Sequence, residues 1–371
     1  MAEEVKPIFL LGEAQGTNEA KINAGFVGAS GIELLRMLQD ASLLELTSED
    51  RNQINLYYNS GDPTHIDMVW RMHPNFYRSN VFQLHPDNND LANLCGPKSE
   101  AIPGYPPLVK GKGYIHDRYR PHLERLADEL VTVDPNLVLC LGNSALWALT
   151  GNTGIAKLRG TTMVSTMLAT GFKLLPTYHP AAVTRQWELR PTTVADLIKA
   201  KRQSAFPEIR RPKREIWIAP TLEDLSTFRD RYITNCEILS VDIETAGTTI
   251  TEIGFAPDES HAIVIPFVDR RAKGKSYWPD LRSEQAAWRY CFGILTDRTI
   301  PKLFQNGLYD IAFLLRAAGI GVRGAAEDTM LLHHALQPES LKGLGFLGSL
   351  YCDEGAWKGM RKHVTTIKRD E

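Results

Sequence analysis

The chain has 371 residues, of which 43% are hydrophobic and 23% charged, a composition that excludes a disordered protein. Its length exceeds what one ordinary core organises, so we expect two globular domains. The formal net charge of −2 excludes general basicity, so contacts with nucleic acid must come from local basic patches. Five scattered cysteines, no long apolar run and no leader segment predict a cytoplasmic protein that contacts no membrane.

Short apolar runs alternate with helical patterns in the first half of the chain. Strands are predicted over residues 8–11, 137–141 and 172–175, and helices over 31–38, 122–131 and 144–149. Buried strands alternating with helices predict an α/β fold with a parallel sheet, in which ligands bind at the carboxyl ends of the strands. Ser30 followed by Glu33 fits a capping box and predicts the start of the first helix.

Three loops with chemically useful side chains follow strand ends. The first reads Gly12-Glu13-Ala14-Gln15-Gly16 and leads to Glu19 and Phe26. The second holds Asn80, and the third holds His179. Taken singly, each loop also fits a role without function: the first as an ordinary glycine turn, Asn80 as a turn cap and His179 as a loop histidine. Because strand ends meet at one rim of a parallel sheet, we expect the three loops at one site.

Residues 199–216 interrupt the alternation with a run of basic side chains and two prolines, Pro207 and Pro212. We interpret them as a linker between domains at residues 1–198 and 217–371. A solvated tether and a strap that contacts phosphates both fit this composition.

Two carboxylates alternate along a predicted strand over residues 239–245. Strand side chains repeat every two residues, so Asp242 and Glu244 project from one face. Converging carboxylates repel each other unless a hard cation lies between them, which predicts a Mg²⁺ or Mn²⁺ site and phosphodiester cleavage. Asp310, near the start of a predicted helix, is a third candidate ligand.

Together and in this order, the loops of the first half resemble the uracil-DNA glycosylase superfamily, most closely its family 4 and related branches, over roughly residues 6–190. Further matching segments are Phe26-Val27-Gly28, Pro135–Gly142, Lys157–Gly160 and Tyr178-His179-Pro180. The resemblance implies a three-layer α/β/α fold with a central parallel sheet. It also implies hydrolytic excision of a uracil extruded from DNA.

The resemblance assigns roles to the candidate residues. Phe26 would stack on the uracil, and the Asn80 amide would bond its O4/N3 edge. His179 would donate to O2, and Glu13 or Glu19 would orient or activate the attacking water. The substrate would lie against Gly12, Ala14, Gln15 and Gly16, and the helix beginning near Ser30 would offer its N-terminus to a phosphate.

The loop departs from the family pattern. Gln15 stands where the family has proline, and Thr17, Asn18 and Ala20 replace most of its acidic residues. Family 4 also carries four cysteines that bind an iron–sulfur cluster, whereas this region has only Cys95 and, inside a predicted strand, Cys140, so we expect no cluster. Two outcomes stay open: an active glycosylase, or a module that binds uracil or DNA without cleaving it.

The second half resembles the 3′–5′ exonuclease domain of the DnaQ-like, ribonuclease H-like superfamily, specifically the proofreading domain of A-family DNA polymerases, over about residues 215–360. This implies a mixed sheet with helices and two metal ions held by four carboxylates, of which Asp242, Glu244 and Asp310 match three. The fourth is unmatched, with Asp353 or Glu354 as substitutes. We therefore expect a truncated exonuclease of weak or absent activity.

This domain order resembles the N-terminal half of certain bacteriophage replicative polymerases. It implies uracil-containing DNA, single-stranded or primer–template, as a partner, a polymerase domain in cis or in trans, and the host cytoplasm if the source is viral. Three hypotheses follow: a uracil-excising enzyme linked to a proofreading module, a non-cleaving uracil or DNA sensor, and an exonuclease with a scaffold domain.

Overall fold

The computed structural model describes residues 6–109, 113–269, 271–272 and 274–354. The chain divides into two compact units: residues up to Arg210 with the described residues from Gly345 onward, and Arg211–Leu344. The predicted boundaries differ from these units, because the last described helix belongs to the first unit. Residues 355–371, the end of the predicted second domain, lie outside the described residues.

The first unit is an α/β fold. Its strands are β1 (Ile8–Ala14), β2 (Phe76–Phe82), β3 (Cys95–Gly96), β4 (Tyr114–Ile115), β5 (Val138–Leu141), β6 (Met163–Val164) and β7 (Lys173–Thr177). Its helices are α1 (Thr17–Ile22), α2 (Ala29–Asp40), α3 (Ser48–Ser60), α4 (Thr64–Arg71), α5 (Arg120–Val133), α6 (Asn143–Thr150), α7 (Ile155–Leu158), α8 (Pro180–Arg185) and α9 (Arg190–Gln203).

The central sheet of this unit has the order β2-β1-β5-β7-β6, and β2, β1, β5 and β7 run parallel. Alternate residues of β1 enter different cores. Leu10 packs in the core that includes α2 and α9 residues, whereas Phe9 and Leu11 pack in the core that includes α5 and α6 residues. Helices therefore cover both faces, which confirms the predicted α/β/α arrangement.

Two local predictions fail. Helix α2 begins at Ala29 with Gly28 as its cap, so Ser30 lies inside the helix and makes no capping box. Glu33 instead accepts a hydrogen bond from Arg190 Nε at 2.8 Å. The start of the predicted linker belongs to α9, where Lys199 is 1% exposed because Gly160 O and Ser349 O accept its ammonium hydrogens at 2.7 Å each.

The second unit has a mixed sheet. Its strands are β8 (Glu215–Ile218), β9 (Leu239–Ala246), β10 (Thr249–Ala256), β11 (His261–Pro266), β12 (Val268–Asp269), β13 (Lys275–Ser276), β14 (Lys302–Phe304) and β15 (Ala326–Asp328). Its helices are α10 (Leu222–Phe228), α11 (Leu281–Thr296), α12 (Gly307–Ala318) and α13 (Thr329–Leu336), and α14 (Leu344–Tyr351) follows them in the chain.

The order of the main sheet is β15-β14-β9-β10-β11-β8, with β10 antiparallel to both of its neighbours. Its core joins Phe255 of β10 to Phe228 of α10, Ile294 of α11 and Leu314 of α12. This mixed sheet with helices confirms the predicted class of the second domain. Among the described residues, no helix is long and apolar enough to cross a membrane.

Candidate active site

The parallel pairing of β1 with β2 sets Gly12 beside Asn80, so two of the predicted loops meet. A Cβ atom on Gly12 would lie 2.2 Å from Asn80 Oδ1 and 2.8 Å from Phe26 Cζ. Only glycine leaves the space in which these two side chains approach the end of β1. The structure therefore brings together the predicted stacking residue and the predicted reading residue.

Glu19 ties this loop together. Its carboxylate accepts hydrogen bonds from Gly16 N at 2.8 Å and Phe26 N at 2.5 Å, and Asn80 Nδ2 lies 3.5 Å away. Burial raises the pKa of Glu19, while these hydrogen bonds act in the opposite direction. Because both carboxylate oxygens are engaged, the geometry favours Glu19 as a positioning residue rather than as a base for water.

Phe26 is held in an uncommon backbone conformation. Its φ of +59° is left-handed, and its carbonyl accepts a hydrogen bond from Trp70 Nε1 at 2.9 Å. The ring centroid lies 6.1 Å from that of His179, with 30° between the ring planes. The third predicted loop thus joins the first two.

His179 is fixed by its own helix. It caps α8, and Ala181 N donates to His179 Nδ1 at 3.2 Å. Burial, together with the positive charge of nearby Arg185, lowers the pKa of His179 to about 4. The imidazole is therefore neutral near pH 7, and since Nδ1 accepts, the proton resides on Nε2.

Glu13 lies close to a residue that the sequence analysis did not select. Ser144, at the start of α6, donates to Glu13 Oε2 at 2.6 Å. Burial raises the pKa of Glu13, and the Ser144 hydrogen bond and Arg185 lower it. Arg185 thus acts on both Glu13 and His179. Ser144 follows the end of a predicted strand, a position from which a site residue could have been predicted. Arg185 stands at the end of a helix, where no sequence pattern indicates a site residue.

The remaining predicted loop residues have mainly structural contacts. Gln15 is 7% exposed, and its Nε2 donates to Asn23 Oδ1 at 2.6 Å. Its backbone carbonyl is 2.7 Å from His85 Nδ1. Ala14 is half-buried at the end of β1, and Ser30 is half-buried inside α2, just after the helix start expected to bind phosphate.

In the second unit, Asp242 is exposed and Glu244 half-buried along β9. Asp310, on α12, accepts a hydrogen bond from Ile243 N at 3.3 Å. Burial and the charge of Asp242 raise the pKa of Asp310 to about 6. Asp242 and Asp310 therefore lie close enough to repel each other. The register also places Glu252 opposite Glu244, a carboxylate that the sequence analysis did not select.

Within the described residues, no three Asp, Glu, His or Cys side chains are gathered closely enough to hold a metal ion. The oxygen donors and like-charge repulsion of Asp242 and Asp310 nevertheless fit a hard divalent cation. Asp353, one of the two predicted substitutes for the fourth ligand, lies 3.4 Å from Arg202 Nη2. Asp328 caps α13 and accepts from Gly307 N at 2.7 Å.

Two family matches agree with this arrangement. Residues 3–202 match the uracil DNA glycosylase superfamily, and residues 221–363 match a 3′–5′ exonuclease family. The two units in this order define a DNA-processing protein. The chain belongs to the uracil DNA glycosylase superfamily and continues into an exonuclease-type region, so both resemblances drawn from the sequence are confirmed.

No curated protein matches the chain. Among solved structures, the EXD2 exonuclease domain soaked in Mg and dGMP is 17% identical, with a TM-score of 0.26 over 36% of this chain and 68% of that chain. Trypanosoma brucei RNase D is 18% identical, with a TM-score of 0.26 over 35% of this chain and 41% of that chain. These values are too low to carry an inference about function.

Proposed function

We propose that the first unit removes uracil from DNA by hydrolysis, as a glycosylase-like domain over residues 1–198. The observation that carries the proposal is the neutral His179 beside Phe26, whose Nδ1 accepts from Ala181 N and leaves the ring proton on Nε2. A neutral donor suits a site where negative charge develops on a departing base.

The proposed reaction begins with extrusion of the deoxyuridine from its stack. Phe26 stacks on the uracil, and the Asn80 amide bonds its O4/N3 edge, where the amino group of cytosine presents the wrong donor pattern. The bond between C1′ and N1 then breaks, and its electrons pass to the uracil. His179 Nε2–H stabilises the charge that develops on O2.

Water completes the reaction at C1′. Glu13 orients the water and accepts its proton, because Glu13 keeps contact with Ser144 while both oxygens of Glu19 hold backbone. The departing uracil anion takes up a proton at N1 and Glu13 releases its proton to solvent, so the products are free uracil and an abasic site. In this proposal Arg185 and the start of α2 near Ser30 contact the DNA backbone.

A non-cleaving uracil-binding module is the second candidate. It is favoured by Gln15, whose side chain bonds Asn23 in a loop where the family has a proline. Such a module needs Phe26 and Asn80 but no water at Glu13, so it would bind uracil-containing DNA without releasing uracil.

For the second unit we propose a 3′–5′ exonuclease-type site of weak activity, in which Asp242, Glu244 and Asp310 would draw together around Mg²⁺ or Mn²⁺ when the ion binds. The cation, when bound, supplies Lewis-acid activation of water and charge stabilisation. The carboxylates supply its oxygen ligands, and Ile243 N orients Asp310. Association with a DNA polymerase, in cis or in trans, and a bacteriophage source in a host cytoplasm remain predictions, as does the expectation of no iron–sulfur cluster.

The test uses a labelled single-stranded oligonucleotide with one deoxyuridine, incubated with the protein in EDTA and then treated with hot alkali. A cut at the uracil is expected, and His179→Ala should slow it about 10²–10³-fold, as loss of one transition-state donor does. His334→Ala, an exposed histidine on α13, is the matched control. No cut by the native protein, with binding confirmed, would favour the non-cleaving module.

A further inference from the structure

A polar cavity lies along the outer edge of the first sheet, where β2 is the terminal strand. Its volume is about 340 Å³, at the lower end of the range of small-molecule sites, about 300–1,000 Å³. Four amide side chains line it: Gln15, Asn23, Asn80 and Gln83. Phe26 and His179 are not among its lining residues, whereas Asn80 and Gln15 also belong to the candidate uracil site, so the cavity adjoins that site.

Amides present a donor and an acceptor side by side, the pattern that reads the hydrogen-bonding edge of a nucleobase. Asn80 is 4% exposed and Gln15 is 7% exposed, so burial holds both side chains in place. The 2.6 Å bond from Gln15 Nε2 to Asn23 Oδ1 also fixes which ends of these two amides are engaged. Tyr77 adds an aromatic wall, the kind of surface on which bases stack.

Hydrogen bonds fix the charged residues that line the cavity. Arg78 donates to Gly25 O at 2.7 Å and to Asp67 Oδ1 at 2.9 Å. Glu129 accepts from Ser79 Oγ at 2.6 Å and from Arg125 Nη1 at 2.5 Å. Because these partners fix the charged groups, the cavity presents mainly neutral donors and acceptors in a preorganised shape.

We infer that this cavity receives an unpaired nucleobase of the same DNA strand, the neighbour of the extruded deoxyuridine. The inference rests on the proposed function of the adjacent site. Asn80 and Gln15 belong both to the cavity and to the predicted uracil-binding residues, so the two sites adjoin. The nucleotide next to the extruded deoxyuridine is covalently joined to it, so its base is the one that an adjoining cavity receives.

The experiment measures binding of labelled single strands in EDTA by fluorescence anisotropy, in a His179→Ala background in which excision is slow compared with the binding measurement. The strands carry one deoxyuridine, or thymidine as a control, with each of the four bases on either side. One neighbouring base is expected to bind at least about fivefold more tightly, as a single bidentate base contact provides. Gln83→Ala should reduce that preference below twofold. It should leave unchanged the affinity for the strand that binds most weakly.

Two further variants sharpen the result. Asn52→Ala, an exposed amide on α3, should keep the preference. Gln83→Glu keeps the shape of the side chain but only accepts hydrogen bonds, so the preference should move toward bases that present amino groups. Equal binding of all strands, no measurable binding, or a preference that persists in Gln83→Ala would overturn the inference.

These outcomes separate the cavity from the proposed function. Preference for a neighbouring base without uracil excision by the native protein would refute excision and keep the cavity. Excision without any neighbour preference would refute the cavity and keep excision.

Discussion

The candidate sites of the two units differ in what holds their polar groups in place. In the first unit, Glu19 binds two backbone amides, Ala181 N binds His179, and Gly12 admits Asn80 and Phe26. In the second unit, Asp242 and Asp310 approach with like charges, and the pKa of Asp310 rises to about 6. The first arrangement is set by hydrogen bonds, whereas the second requires a cation to offset repulsion.

The largest expected effect is at Asn80. We expect Asn80→Ala to lower the rate of uracil excision by about 10²–10³-fold, as loss of a buried donor at a reacting group does. It should also abolish discrimination between uracil and cytosine, measured on matched oligonucleotides. Asn55→Ala, exposed on α3, is the control. Retained selectivity in Asn80→Ala would refute the proposed pocket.

Gly12 tests whether close packing builds the first site. A methyl group there would displace Asn80 Oδ1, 2.2 Å away, so excision should fall at least tenfold. Overpacking of this kind lowers the free energy of unfolding by about 1–3 kcal/mol, which urea denaturation measures. Gly293→Ala, on α11, meets no atom within 4 Å beyond its own helix backbone and chain neighbours, so excision should stay unchanged, and the free energy of unfolding should rise by about 0.5–1 kcal/mol because alanine favours the helix. An unaffected Gly12→Ala variant would contradict the packing account.

The second site should respond to pH through Asp310. Its folded pKa, about 6, exceeds the ordinary 3.8, so without metal its contribution to stability decreases as pH rises through this interval. Mn²⁺ binds the ionised form, so thermal stabilisation by Mn²⁺ should grow as pH rises past about 6 and vanish in Asp310→Asn. Equal stabilisation about one pH unit below and above that value would contradict cation binding at Asp310.

The smallest expected effect is that of a second-unit substitution, Asp242→Ala, on uracil excision by the first unit. Asp242→Ala should remove metal-dependent nuclease activity and Mn²⁺ stabilisation, because it removes a ligand. Uracil excision in EDTA should change by less than about twofold, since variants without shared partners act independently. A large fall in excision would show that the two sites are coupled.

The sequence predicted the regions whose pattern is local and periodic. The strand ends that carry Gly12, Asn80 and His179 could be placed at one rim, because parallel strands leave little choice of geometry. The shared face of Asp242 and Glu244 could also be predicted, because strand side chains repeat every two residues. The family resemblance added the α/β/α and mixed-sheet architectures, both of which the structure contains.

Other features depended on contacts between distant residues. Ser30 fitted a capping box in sequence, yet Gly28 begins the helix and Glu33 bonds Arg190 instead. The basic run from Lys199 resembled a linker, but partners at Gly160 and Ser349 draw this lysine into the first unit. No local pattern reports such pairings, which are 39 and 150 residues apart in the chain.

The central claim is that the first site hydrolyses the bond between uracil and its deoxyribose without a metal ion. Mass spectrometry of a single-stranded oligonucleotide with one deoxyuridine, after incubation with the native protein in EDTA, tests it most directly. The expected product has exchanged one uracil for one water, with every phosphodiester bond intact. An unchanged mass with binding confirmed, or loss of nucleotides from the 3′ end, would contradict the claim.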